Sequence, residues 1–155
     1  MALTELGTTF IKLGQMMSTR ADMVGPDLAT ELASLQADTP ADPPDVVRVM
    51  VEEELGAPVE EIFAEFDFNS LASASVGQVH LATLRDGTDV VVKVQHAGIR
   101  EKIEEDLDIL GILAAQAERL SAELRQYQPK ALLGEFRRTL LRELDFEREL
   151  SSLQR

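Results

Sequence analysis

The 155-residue sequence has no cysteine, so no disulfide framework is available to it, and the redox state of its compartment leaves no trace in the composition. Basic residues are scarce. Fifteen Lys and Arg stand against 28 Asp and Glu, giving a formal charge of −13, which opposes non-specific binding to nucleic acid or to anionic lipid. No apolar run reaches the roughly 18 residues that span a bilayer, and the N-terminus lacks the basic segment and apolar core of a signal peptide. The two histidines, His80 and His96, have no carboxylate or cysteine spacing that suggests a metal site. The expectation is a soluble, cytoplasmic piece of one domain, long enough to bury a core, with no metal centre, no nucleic-acid partner and no transmembrane segment.

The most informative stretch is Ser70 to Val94, SLASASVGQVHLATLRDGTDVVVKV. Two runs of β-type residues, Val79 to Leu84 and Val90 to Val94, flank Asp86-Gly87, a pair that accepts positive φ and favours a hairpin. A small-residue loop, Ala72 to Gly77, precedes the first run. Lys93 sits among valines, where strand alternation gives its side chain one face while its neighbours bury theirs. Small-residue loop, strand, turn and strand with a lysine is the order in which a kinase-type N-lobe covers and grips ATP phosphates.

Helical periodicity surrounds this hairpin. Residues 3 to 23 space Leu3, Leu6, Phe10, Leu13 and Met17 by three and four, and Lys12 and Gln15 share one face with Thr8 and Thr19. Gly25-Pro26 breaks this helix, and Asp27 to Gln36 carries the next. The segment DTPADPP, Asp38 to Pro44, has three prolines in seven residues and stops helix formation. Val46 to Leu55 then forms a helix ended by Gly56, and Pro58 opens a short helical turn over Val59 to Phe63. Beyond the strands, the spacing predicts a long helix over Ile99 to Tyr127 and a last one over Lys130 to Leu153. Within RELDFEREL, Asp145 and Glu149 are four apart, as are Glu143 and Glu147; each such like-charge pair costs roughly 0.2 to 0.5 kcal/mol unless a cation answers it. Periodicity does not choose among Glu135, Glu143, Glu147 and Glu149 as the partner of Lys93. The acidic run Glu101 to Asp108 lacks the glycine-turned loop of a calcium site and reads as a solvated helix start.

The segments TFIKLGQMMSTRADM, ASASVGQVHLA, VVVKVQHAGI and RELDFEREL, in this order, resemble the UbiB (AarF-type) family of atypical protein-kinase-like proteins, from about Leu6 to Leu150. The resemblance implies an α+β fold: a protein-kinase-like N-lobe with a small antiparallel sheet, a helical N-terminal extension, and a helix inserted before the αC-like helix. It divides the chain into an extension over residues 1 to 65 and an N-lobe over 66 to 155, with the C-lobe absent. It assigns Ala72, Ser73, Ala74 and Ser75 to the alanine-rich loop that covers the nucleotide. Lys93 becomes the strand lysine of the phosphates and Glu149 its carboxylate partner. Lys12, Gly14 and Gln15 become the extension motif, and Glu143 with Asp145 the acidic motif.

ATP with Mg²⁺ is the cofactor that the resemblance implies for a full-length protein, with none held tightly by these residues alone. Its implied partners are lipid- or quinone-pathway proteins, with peripheral membrane association of the full-length protein. Missing C-lobe residues imply that this chain by itself does not transfer phosphate. The competing expectation is a non-catalytic regulatory or interaction module that keeps a kinase-like N-lobe. In either case Lys12 and Gln15 are expected to meet Glu143 and Asp145.

Overall fold

A computed structural model describes residues 6–35 and 39–145. The described chain divides by packing into two compact units, residues 39–99 and residues 6–35 with 100–145. The fold is α+β, with helices and one small antiparallel sheet. No described helix is long and apolar enough to cross a membrane.

Unit 39–99 begins with helices that proline and glycine delimit. Pro43 and Pro44 lead into α4 (Pro44–Leu55), where a missing N–H costs nothing because first-turn donors have no helical acceptor. Gly56, at φ 69°, ends α4 in a left-handed cap, its N–H bonded to the Glu52 carbonyl at 2.9 Å. One turn, α5 (Val59–Ile62), comes next. Arg48 ties the two helices together, reaching Glu60 at 2.6 Å and lying 4.5 Å over the Phe68 ring. This hydrogen bond holds the Glu60 carboxyl below its ordinary range.

The strands are β1 (Phe63–Phe66), β2 (Ala72–Ser73), β3 (Gly77–Leu84) and β4 (Asp89–Gln95). All pairings are antiparallel and all involve β3, which meets β1 through Ala82 to Leu84, β2 through Gln78 and Val79, and β4 along Gly77 to Thr83. Alternation sends Ala82, Val90, Val92 and Val94 to one face, where they pack with Val47, Val51, Val59 and Phe63. Strand β1 departs from the sequence expectation, which ends a helical turn at Phe63. Phe63 is instead buried in this core as the first residue of a strand, and its ring meets Phe66 edge-on at 5.3 Å. The β3–β4 connection turns at Asp86-Gly87, as the sequence suggests. Gly87 N–H bonds to the Leu84 carbonyl at 2.9 Å, Leu84 N–H to the Thr88 carbonyl at 2.8 Å, and Gly87 alone takes positive φ, the pattern of a three-residue hairpin loop. Hydrogen bonds from the Thr88 hydroxyl and, at 2.9 Å, from the Thr88 N–H keep the Asp86 carboxyl below the ordinary range.

The other unit contains α1 (Thr8–Ser18), α2 (Ala21–Val24), α3 (Pro26–Ala33), most of α6 (Ile99–Leu120), α7 (Ala122–Arg125) and α8 (Pro129–Glu143). Ile11, Leu32 and Leu35 form a buried cluster with Met17 and Val24 against it. Three helices expected to be continuous are shorter. The hydroxyls of Ser18 and Thr19 bond back to the carbonyls of Gln15 and Met16 at 2.5 and 2.7 Å and close α1 early. Ser121 accepts from Leu124 N–H at 3.2 Å, capping α7 and ending the long helix. α8 stops at Glu143, with Asp145 beyond its C-cap, and the remainder of its expected span lies outside the described residues. The apolar stripe of α6 is buried only at its start: Ile103 is fully buried and Leu107 nearly so, whereas Leu120 is 84% exposed.

Gly77 is fixed by close approach. A Cβ there would lie 2.5 Å from the Val94 carbonyl oxygen, a backbone atom that cannot swing away. Gly77→Ala is expected to destabilise the protein by about 1–3 kcal/mol, read as a lower denaturation midpoint; an unchanged midpoint would refute the packing.

Candidate functional site

The β3 register decides which residues share a face. Ala72 lies opposite Val79, and Val79 lies opposite Lys93, so these three form one row across β2, β3 and β4. At about 4.8 Å between neighbouring strands, Ala72 and Lys93 are roughly 10 Å apart in the backbone. Their face is the outward one: Lys93 is exposed, and beside it Leu81 and Val91, paired across the strands, are 47% and 62% exposed. A lysine at one end of an apolar strip is therefore presented on the side of the sheet opposite the core.

The Ala72–Gly77 segment is partly strand, since Ala72 and Ser73 form β2; the turn begins only at Ala74, whose N–H bonds to the Gly77 carbonyl at 2.9 Å. Ala74 is exposed, while Ser75 and Val76 are buried at 8% and 6% exposure. Polar residues behind the turn hold it. Ser73 donates to the Thr39 carbonyl at 2.7 Å, and His96 touches the Ala74 carbonyl at 2.8 Å and the Asp42 carboxylate at 2.9 Å. Gln78, fully buried, accepts from Asp42 N–H at 2.6 Å and meets His80 at 2.8 Å. The proline segment is thus a strap bonded to the back of this turn. Sequence reasoning missed it, because Asp42 and His96 are 54 residues apart and no spacing rule joins them.

The extension and acidic residues lie in the other unit. Lys12 Nζ is 2.9 Å from Glu143 Oε2, the contact expected for it, with both side chains partly exposed. Gln15 goes elsewhere: its amide donates to the Leu35 carbonyl at 2.8 Å, satisfying the chain just beyond α3. Gly14 is buried on α1 between them. Thr9, 1% exposed, donates to Asp106 at 2.7 Å and fastens α1 to α6, so one member of the acidic run has a structural use. Asp145 is described and half-buried; Glu149, and with it the expected pairing to Lys93, lies outside the described residues. Among the described residues, no group of three or more His, Asp or Glu side chains is arranged to hold a metal ion.

The profile of the ABC1 atypical kinase-like domain matches residues 34–155. The chain belongs to this ABC1 atypical kinase-like family. Proteins named "Probable protein kinase UbiB" from Pseudomonas putida F1 and Pseudomonas aeruginosa PAO1 are each 45% identical to it over 152 residues. These ABC1 relatives match 98% of this chain, which spans 28% of their own length. A solved structure, that of Rv3197 with erythromycin from Mycobacterium tuberculosis, aligns at a TM-score of 0.54 and 29% identity, covering 88% of this chain and 33% of that one. The ABC1 assignment agrees with the UbiB resemblance carried by the four sequence segments.

The Lys12–Glu143 pair can be weighed directly. A partly exposed ion pair contributes about 1 kcal/mol or less and is screened by salt. A double-mutant cycle with Lys12→Ala and Glu143→Ala is expected to give a coupling of about 0.3–1 kcal/mol that shrinks toward zero in about 1 M salt. A salt-independent or absent coupling would mean that the pair is not formed in solution.

Proposed function

We propose that this chain is the nucleotide-binding N-lobe part of a UbiB-like atypical kinase or ATPase associated with ubiquinone or lipid metabolism. The observation that carries this reading is the outward row Ala72, Val79 and Lys93 beside exposed Leu81 and Val91. An exposed ammonium can draw phosphate oxygens, and an adjacent apolar strip offers a surface for a nucleobase. The turn at Ala74 to Gly77 adjoins that row, and its alanine and serine residues restrict φ where a glycine-rich loop would not.

In this reading Lys93 positions the α- and β-phosphates and Ala72 to Ser75 cover them. Glu149 is the carboxylate that holds Lys93 in place, as the family resemblance suggests. Lys12, Gly14 and Gln15 serve the extension, and the Lys12 contact to Glu143 supports a role for the acidic motif in anchoring it. Bound Mg²⁺ would neutralise charge between phosphates, and the described residues offer no converging set of ligands for it.

ATP is expected to bind the 155-residue chain weakly and without release of phosphate. Followed by amide chemical shifts, ATP should perturb Ala72 to Gly77 and Val92 to Gln95. Lys93→Met should weaken binding by at least about tenfold, the scale of one lost charge-assisted hydrogen bond. Binding that ignores Lys93→Met, or shifts confined to other segments, would favour a non-catalytic interaction module instead.

A further inference from the structure

The turn assigned above to the nucleotide is held from behind by a group that the nucleotide reading does not use. His96 is 6% exposed. Its Nδ1 is 2.9 Å from Asp42 Oδ2; its Nε2 is 2.8 Å from the Ala74 carbonyl oxygen and 3.4 Å from Ser73 Oγ. Ser73 has a single hydroxyl hydrogen, and this is directed at the Thr39 carbonyl, 2.7 Å away. Ser73 therefore turns a lone pair toward Nε2. A carboxylate, a carbonyl and that lone pair surround the ring, and none of them donates.

A neutral imidazole carries one N–H, so it would leave a ring lone pair facing an oxygen lone pair in a site nearly closed to water. The imidazolium donates on both sides and matches the Asp42 charge. His80 provides the contrast within the same cluster. There the Gln78 amide nitrogen lies 2.8 Å from Nε2 and can donate to it, while Nδ1, 2.8 Å from the Asp67 carbonyl, donates in turn. Both contacts of His80 are satisfied by a neutral ring.

The geometry points to Asp42 and His96 as a charged pin that positions the Ala72–Gly77 turn for nucleotide, a role that rests on the nucleotide reading above. Two carbonyls of the turn are drawn onto His96: Ala74 to Nε2, and Val76 to the backbone N–H of His96 at 3.1 Å. Carbonyl oxygens turned toward a phosphate would repel it; the His96 ring holds the Ala74 carbonyl back, and the His96 backbone N–H holds that of Val76. Asp42 is itself fixed from two sides. The oxygen that meets His96 also lies 3.2 Å from Ala97 N–H, and the Asp42 backbone N–H donates to Gln78. Asp42 and His96 are thus positioning residues, acting on phosphate through the turn.

The test uses ring and amide NMR of the 155-residue chain near neutral pH, titrated with ATP. Expected are ring nitrogen shifts of an imidazolium at His96 and of a neutral tautomer at His80. Asp42→Asn keeps an acceptor for Nδ1–H but removes the charge. It should return His96 to the neutral form, speed hydrogen exchange at Ala74 N–H, and raise the ATP concentration needed to shift Ala72 to Gly77 by about tenfold. Lys93→Met should weaken ATP binding without altering the His96 ring. A neutral His96 in the unsubstituted chain, or Asp42→Asn with unchanged ATP affinity, overturns the pin. If ATP shifts no resonance of the unsubstituted chain, the nucleotide reading falls and the positioning role falls with it; the ring shifts tell that failure apart from failure of the pin.

Discussion

Polar side chains buried on the inner face of a small sheet must find partners without water, and much of the arrangement of residues 39–99 stems from that requirement. Gln78, His80 and His96 are each buried to 6% exposure or less. Their partners come from the proline segment, from the turn before β3 and from the carbonyl of Asp67, so these bonds link three stretches of chain. Leaving one such group unpaired costs about 1–3 kcal/mol, a large fraction of the stability of a domain this size. A strap rich in proline suits the task, because it has little conformational freedom to lose when it is bonded down.

The two faces of the same sheet differ in what they carry. Inward residues of β3 and β4 pack on α4, whereas Lys93 and its row point the other way. Polar bonds behind the turn therefore fix the backbone without occupying the face proposed for nucleotide. The alanines and serines of the turn trade conformational range for a defined shape, and the contacts to His96 restrict that shape further.

The other unit relies on different means. Apart from α6 and α8 its helices are short, and single polar bonds do much of the fastening: Thr9 to Asp106, Lys12 to Glu143 and Gln15 to the Leu35 carbonyl. The first is buried on the threonine side and costly to break. Lys12 and Glu143 remain wet, so their pairing contributes orientation more than stability.

The sequence by itself determined the element types that local chemistry controls. Prolines and Gly56 set the limits of α4, the valine runs made a hairpin, and four motif segments carried the ABC1 family membership with its α+β kinase-like fold. It also indicated that Lys12 would meet Glu143, because a cation is what the charge pattern of the last helix lacked. Tertiary structure decided the rest. β1 forms because β3 offers Phe63 and Phe66 an edge and a core, which no local preference of the FAEF segment announces. Gln15 turned to a backbone carbonyl because the end of α3 needed a donor. His80 and His96, poor metal candidates by spacing, became a link between Gln78 and the Asp67 carbonyl and the partner of Asp42, because burial obliges a polar ring to bond with whatever the fold brings within reach, and sequence distance carries no record of that.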